Sequence, residues 1–165
     1  MFYRRIWITV MAVILALAMF VPVSQAQRQE FENIACGSNT QNVVQSNPGE
    51  IYIGNFEGTG IVRSVDEQKL FDNNTYHQVG VLKGVGGKFS WNGFYKAMRP
   101  DGDFIIWEFY GDSETGNNVK AVYGTGKFKG VKGEAKSKEI TKGKSIIKGT
   151  HQACTNVKGW IELAK

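Results

Sequence analysis

The chain has 165 residues, of which 42% are hydrophobic and 21% charged, and a formal net charge of +5 at pH 7. That length suits one domain large enough to bury a core. So mild a positive charge excludes a specific nucleic-acid partner, which calls for a dense basic face against the phosphates.

Arg4 and Arg5 precede an apolar stretch from Ile6 to Val23, which ends in Ser24-Gln25-Ala26 with small residues three and one before a cut after Ala26. This is the pattern of a secretory signal peptide over residues 1–26. The competing reading is retention as an anchor, since the stretch approaches the roughly 20 apolar residues of a bilayer span. Cleavage leaves 139 residues (165 less 26), with 18 basic against 15 acidic side chains, a net +3. The protein is then exported, periplasmic or secreted, with no stable membrane span.

Residues 27–50 are polar and poor in periodicity, and read as an extended arm. Cys36 lies in this arm and Cys154 near the far end of the chain, and these are its two cysteines. An oxidising compartment favours a disulfide between them. A reactive thiol or metal ligand would need a base or a Cys/His cluster at ligand spacing beside it, and neither cysteine has one.

Residues 51–165 form a succession of short alternating runs: Ile51 to Glu57, Gly60 to Val65, Tyr76 to Leu82, Lys88 to Ala97, Asp103 to Tyr110, Val119 to Tyr123, Val131 to Thr141, Ser145 to Cys154 and Val157 to Leu163. Turn signals such as Asp72-Asn73-Asn74, Gly86-Gly87, Arg99-Pro100-Asp101-Gly102 and Gly116-Asn117-Asn118 separate them. No later stretch sustains a helical period. Eight or nine strands without crossover helices predict an all-β domain, an antiparallel barrel or sandwich, of which a single antiparallel up-and-down barrel of about eight strands removes its own edges.

The segment Val122 to Ala135 places glycines at 124, 126, 130 and 133 between two strand-like runs. A phosphate-binding loop would continue into a helix. Here Glu134 to Ile140 continues as a strand, so the block is a barrel corner. Its run Tyr123-Gly124-Thr125-Gly126-Lys127-Phe128-Lys129-Gly130-Val131-Lys132-Gly133 resembles the corner motif of the dirigent and allene oxide cyclase barrels, with Tyr123 in place of the leading glycine. The match covers about 14 residues. It implies an eight-stranded antiparallel barrel, like that of a small secreted bacterial protein of unassigned activity. Secreted dirigent proteins also bridge an N-terminal segment to a late strand, as Cys36 and Cys154 would.

Candidate site residues are few. Glu108 interrupts the apolar run Asp103 to Tyr110, and a carboxyl among aromatics could act as a general acid or base with Tyr110 beside it. The plainer reading puts Glu108 hydrated near a barrel mouth, and Glu57, beside turn-forming residues, is similarly ambiguous. Phe89, Trp91 and Tyr95 share one strand face, and Trp107, Phe109 and Trp160 stand on neighbouring strands. If those faces point inward they fill the barrel or line a cavity for one small ligand. His77 and His151 lie on separate runs with no second ligand at metal spacing, so neither a metal nor a cofactor is expected. Asn73-Asn74-Thr75 fits a glycosylation acceptor.

Eight lysines between Lys127 and Lys148 form either a solvated, edge-protecting face or a surface for polyanions. Three functions follow from these features. The leading one is a non-catalytic module that binds a small apolar or amphipathic molecule or serves structure and interaction. The second is an isomerase-, cyclase- or dirigent-like enzyme acting inside the barrel. The third is polyanion or cell-surface binding through the lysines.

Overall fold

The computed structural model describes residues 27–45 and 50–164. Its strands are β1 (Arg28–Gln45), β2 (Ile51–Ser64), β3 (Asn74–Val85), β4 (Lys88–Met98), β5 (Phe104–Asp112), β6 (Gly116–Gly124), β7 (Lys132–Lys142) and β8 (Thr150–Glu162). A single 3₁₀ turn, Gly126–Phe128, links β6 to β7. Each strand pairs antiparallel with the next, and β1 pairs with β8 to close the barrel. Closure leaves no unpaired sheet edge. The expected all-β, up-and-down, eight-stranded barrel is therefore the fold.

The leader, residues 1–26, lies outside the described residues. Among those described, no helix is long and apolar enough to cross a membrane.

Residues 28–45 depart from expectation: they form a full barrel strand with neighbours on both sides, and the barrel begins at Arg28 instead of residue 51. The alternation was hidden because the inward side of β1 carries Asn33, Asn39 and Gln41 as well as Phe31 and Ala35. Two expected strand breaks are also absent. β2 runs without interruption through Glu57 and Gly60, and β8 through Cys154 and Val157. Gly60 serves close approach instead of a turn. It pairs with Gly37 on β1, and a Cβ on either would overlap the Tyr76 ring.

Cys36 and Cys154 stand directly opposite each other between β1 and β8, joined by a disulfide with a Cα–Cα distance of 4.0 Å. Their neighbours Ala35, Gly37, Ala153 and Thr155 line the interior, so the bond lies on the outer wall. It links strands 118 residues apart in sequence at the seam where the barrel closes.

One end of the barrel is plugged. The loop from 65 to 73 crosses it and inserts Phe71, which is 3% exposed. Phe71 meets Phe31 edge-on at 4.8 Å and stacks on Phe128 at 5.9 Å. The loop is held by Asp66, whose carboxylate accepts the Glu32 N–H, by Asp72, which accepts the Ser64 N–H, and by Arg99, which donates to the Leu70 carbonyl. The glycine-rich corner delivers Phe128 from the other side. Gly126 and Gly130 have φ of +50° and +72°, which glycine adopts without steric cost, and a Cβ at Gly126 would collide with the Asp103 carboxylate. Thr125 and Phe104 pin the corner by reciprocal hydrogen bonds, Thr125 N–H to the Phe104 carbonyl and Phe104 N–H to Thr125 Oγ1.

Candidate functional site

Above the aromatic plug the barrel encloses a cavity of about 550 Å³, within the range of small-molecule pockets. Strand alternation decides what faces it. On β5, Ile105, Trp107 and Phe109 are buried, while Tyr110 is 52% exposed and Glu108 shares its outward parity. The two residues expected as acid–base candidates thus lie on the outer wall and neither lines the cavity. Both faces of β5 are apolar, which concealed its orientation in the sequence.

Four of the five expected ligand-contacting aromatics line the cavity: Trp91, Tyr95, Trp107 and Phe109. Tyr95 sits between the other two large rings, near-parallel to Trp107 at 6.1 Å and to Phe109 at 6.4 Å. Phe109 also stacks on Phe56 at 5.9 Å. Phe89 falls outside this set: it lies at the rim, 38% exposed, edge-on to Tyr52 at 5.8 Å. Trp160 is on the outer wall, with the Arg28 guanidinium 4.4 Å from its ring centre.

A polar belt lies between the plug and the mouth. Gln78 Nε2 donates to Asn39 Oδ1 at 2.6 Å. Trp91 Nε1 donates to Asn117 Oδ1 at 3.0 Å, and Asn117 Nδ2 donates to Ser137 Oγ at 2.6 Å. The belt is neutral and internally bonded, so it is held in place before any ligand enters. Below it, Asn74 is completely buried and neither its Oδ1 nor its Nδ2 has a hydrogen-bond partner among the described residues.

Burial raises the pKa of the Tyr76 hydroxyl above its ordinary value, and that of Tyr95 far higher, with the nearby Tyr76 charge a lesser cause. Both phenols are neutral hydrogen-bonding groups at any physiological pH. The lysine, glutamate and histidine side chains that border the cavity stand at its mouth: Lys138, Glu139 and His151. His151 Nε2 lies 3.3 Å from Glu139 Oε2 across the β7–β8 pairing. His77 Nε2 is 2.7 Å from Glu57 Oε1, but on the outer surface. Sequence spacing missed both pairs because each bridges strands, and it missed Tyr76 because nothing marked the inward side of β3. Among the described residues no cluster of three or more His, Cys, Asp or Glu could hold a metal. Asn73, the glycosylation candidate, is exposed in the turn before β3 with φ of 59°.

The closed eight-strand antiparallel order defines an up-and-down β-barrel. Among solved structures the chain is similar to the pterocarpan synthase dirigent protein GePTS1, with a TM-score of 0.53 and 10% identity over 86% of this chain and 95% of that one. The pterocarpan synthase dirigent protein PsPTS1 superposes with a TM-score of 0.48 and 13% identity, covering 86% of this chain and 99% of that one. No protein-family model matches the sequence. No curated protein matches it either. The likeness to GePTS1 is one of fold.

Proposed function

We propose that this barrel binds one small, largely apolar or amphipathic molecule, and that it does so in an exported protein. The observation that carries the reading is the cavity of about 550 Å³ walled by Tyr95, Trp107 and Phe109 and ringed by prebonded neutral carboxamides. An apolar ligand body against the rings leaves water, while its polar end meets the Asn39, Gln78 and Asn117 belt. The deep interior offers no charge, so it favours neutral ligands. Export is supported by the disulfide and the leader pattern.

The neutral probe N-phenyl-1-naphthylamine, whose emission rises in apolar sites, tests the reading. Saturable one-to-one binding, abolished by Ala35→Phe, which fills the interior, is the expected result. Weak, non-saturating emission that Ala35→Phe leaves unchanged would sink it.

A catalytic role is the second reading, and the Glu139–His151 pair at the mouth is the observation that favours it. A histidine oriented by a carboxylate can relay a proton to a bound molecule. GePTS1, whose fold this chain shares, is named a synthase. On this reading Glu139→Gln and His151→Asn retain ligand and lose turnover.

A further inference from the structure

Ile146 and Ile147 are 88% and 68% exposed, the two most exposed large hydrophobic side chains among the described residues. They occupy the tip of the β7–β8 hairpin, in Lys142-Gly143-Lys144-Ser145-Ile146-Ile147-Lys148-Gly149, which holds three lysines and no acid. None of these lysines makes a salt bridge among the described residues. The tip is tied down at its base. Gln41 N–H donates to the Gly149 carbonyl at 3.0 Å, Gly143 N–H to the Gln152 carbonyl at 2.8 Å, and Thr150 Oγ1 to the Ile147 carbonyl at 2.7 Å. The isoleucines are therefore presented by a hydrogen-bonded loop in place of being folded inward.

This loop stands at the open end of the barrel, because β8 begins there with Thr150 and the rim residue His151. The β3–β4 hairpin reaches the same end and adds Val85, 51% exposed, opposite Ile51, 44% exposed. Acidic side chains at this end include Glu50, Asp112, Glu114 and Glu139. Three of them are engaged: Glu114 by Lys88, Glu139 by His151, and Asp112 by the backbone N–H groups of Glu114 and Thr115.

We infer that the mouth of the barrel docks on an anionic lipid surface, with Ile146 and Ile147 inserted among the acyl chains and Lys142, Lys144 and Lys148 at the headgroups. Exposed aliphatic side chains flanked by lysines are the chemistry of an interfacial anchor. A soluble polysaccharide would engage the lysines alike but offers no apolar phase to two adjacent isoleucines, so the lipid surface fits both halves of the loop. Docked this way, the cavity opens toward the bilayer.

The test is cosedimentation of the purified full-length protein, as the cell delivers it, with vesicles of equal parts phosphatidylglycerol and phosphatidylcholine, and with phosphatidylcholine alone. Binding to the anionic vesicles, weakened at least about tenfold by the double variant Ile146→Ser with Ile147→Ser, is the expected result. Each lysine changed to glutamine should cost about fivefold. Both sets of side chains are exposed, and an unchanged thermal melt verifies that the variants fold. Equal binding to neutral vesicles, no binding to either, or binding that the isoleucine variant retains would overturn the proposal. So would retention on heparin as strong as on anionic vesicles with both indifferent to Ile146 and Ile147, which would make the loop a polyanion site. Loss of probe binding in the cavity bears on the ligand-binding reading alone and leaves this one standing.

Discussion

Phe71 and Phe128 stack face to face with ring planes 6° apart and centroids 5.9 Å apart, although one comes from the β2–β3 loop and the other from the β6–β7 corner. Between them they close the barrel floor. Either ring changed to alanine removes buried apolar area and leaves a cavity in a rigid seat, at a cost of about 3–5 kcal/mol. The double variant should lose less than the sum, because the partners share a contact. Urea unfolding of the four proteins measures this, and independent losses would mean that the rings do not support each other.

The disulfide lies on the outer wall and away from the cavity, so stability and ligand binding should separate when it is removed. Cys36→Ser with Cys154→Ser releases a crosslink spanning 118 residues, for which the chain-entropy account gives about 4–5 kcal/mol. We expect a large drop in the urea midpoint and, below the new midpoint, unchanged affinity for a cavity probe. Equal loss of both would indicate that the seam shapes the cavity.

Asn74 gives an opposite sign. Its carboxamide is fully buried at the cavity wall with neither atom hydrogen-bonded to protein among the described residues, so no protein partner offsets the desolvation of the two groups. Leucine has a similar shape and no polar atom. Asn74→Leu should raise stability by about 1 kcal/mol or more. Asn33 is also buried but accepts a 2.9 Å hydrogen bond from Ser64 Oγ, and Asn33→Leu should destabilise by a similar amount. Thermal melts of both variants check the contrast.

The pH profile has two edges. Tyr76 and Tyr95 have pKa values raised by burial, so the unfolded chain loses these protons first, from about pH 10, while the native state still holds them. Their stabilising effect is complete below that pH and is lost as pH rises, and the tyrosinate absorbance that Tyr76→Phe with Tyr95→Phe removes should appear together with unfolding. At the acid edge, Asp101, Asp112 and Glu32 have lowered pKa values, owing first to hydrogen bonds from Arg99, from the Thr115 backbone N–H and from Asn156 respectively. Their contribution is present above about pH 4 and fades as pH falls through the native values. Asp101 is exposed and Glu32 and Asp112 are only half-buried, so this edge should be shallow. Ionisation of these two tyrosines ahead of unfolding would contradict their buried placement.

The corner and the disulfide were legible in the sequence because each rests on local chemistry: glycines where φ is positive, and the chain's two cysteines behind a leader-like N-terminus. Strand β1 was not, since a cavity-facing strand carrying Asn33, Asn39 and Gln41 breaks the rule that the inward face is apolar. The side of β5 that carries Glu108 and Tyr110 was left open for the complementary reason, as Ile106 and Tyr110 flank Glu108 with apolar surface on the outward face. Glu139 and His151 meet only through the β7–β8 register, which a bulge between Glu139 and Thr141 shifts. Phe71 belongs to a polar loop, and no period could mark it as the plug.

Native mass spectrometry of the purified protein reads directly whether the barrel is occupied. A native mass exceeding that of the disulfide-bonded polypeptide by one small molecule, with the excess released on denaturation, is the expected result. A native mass equal to the polypeptide alone would contradict it.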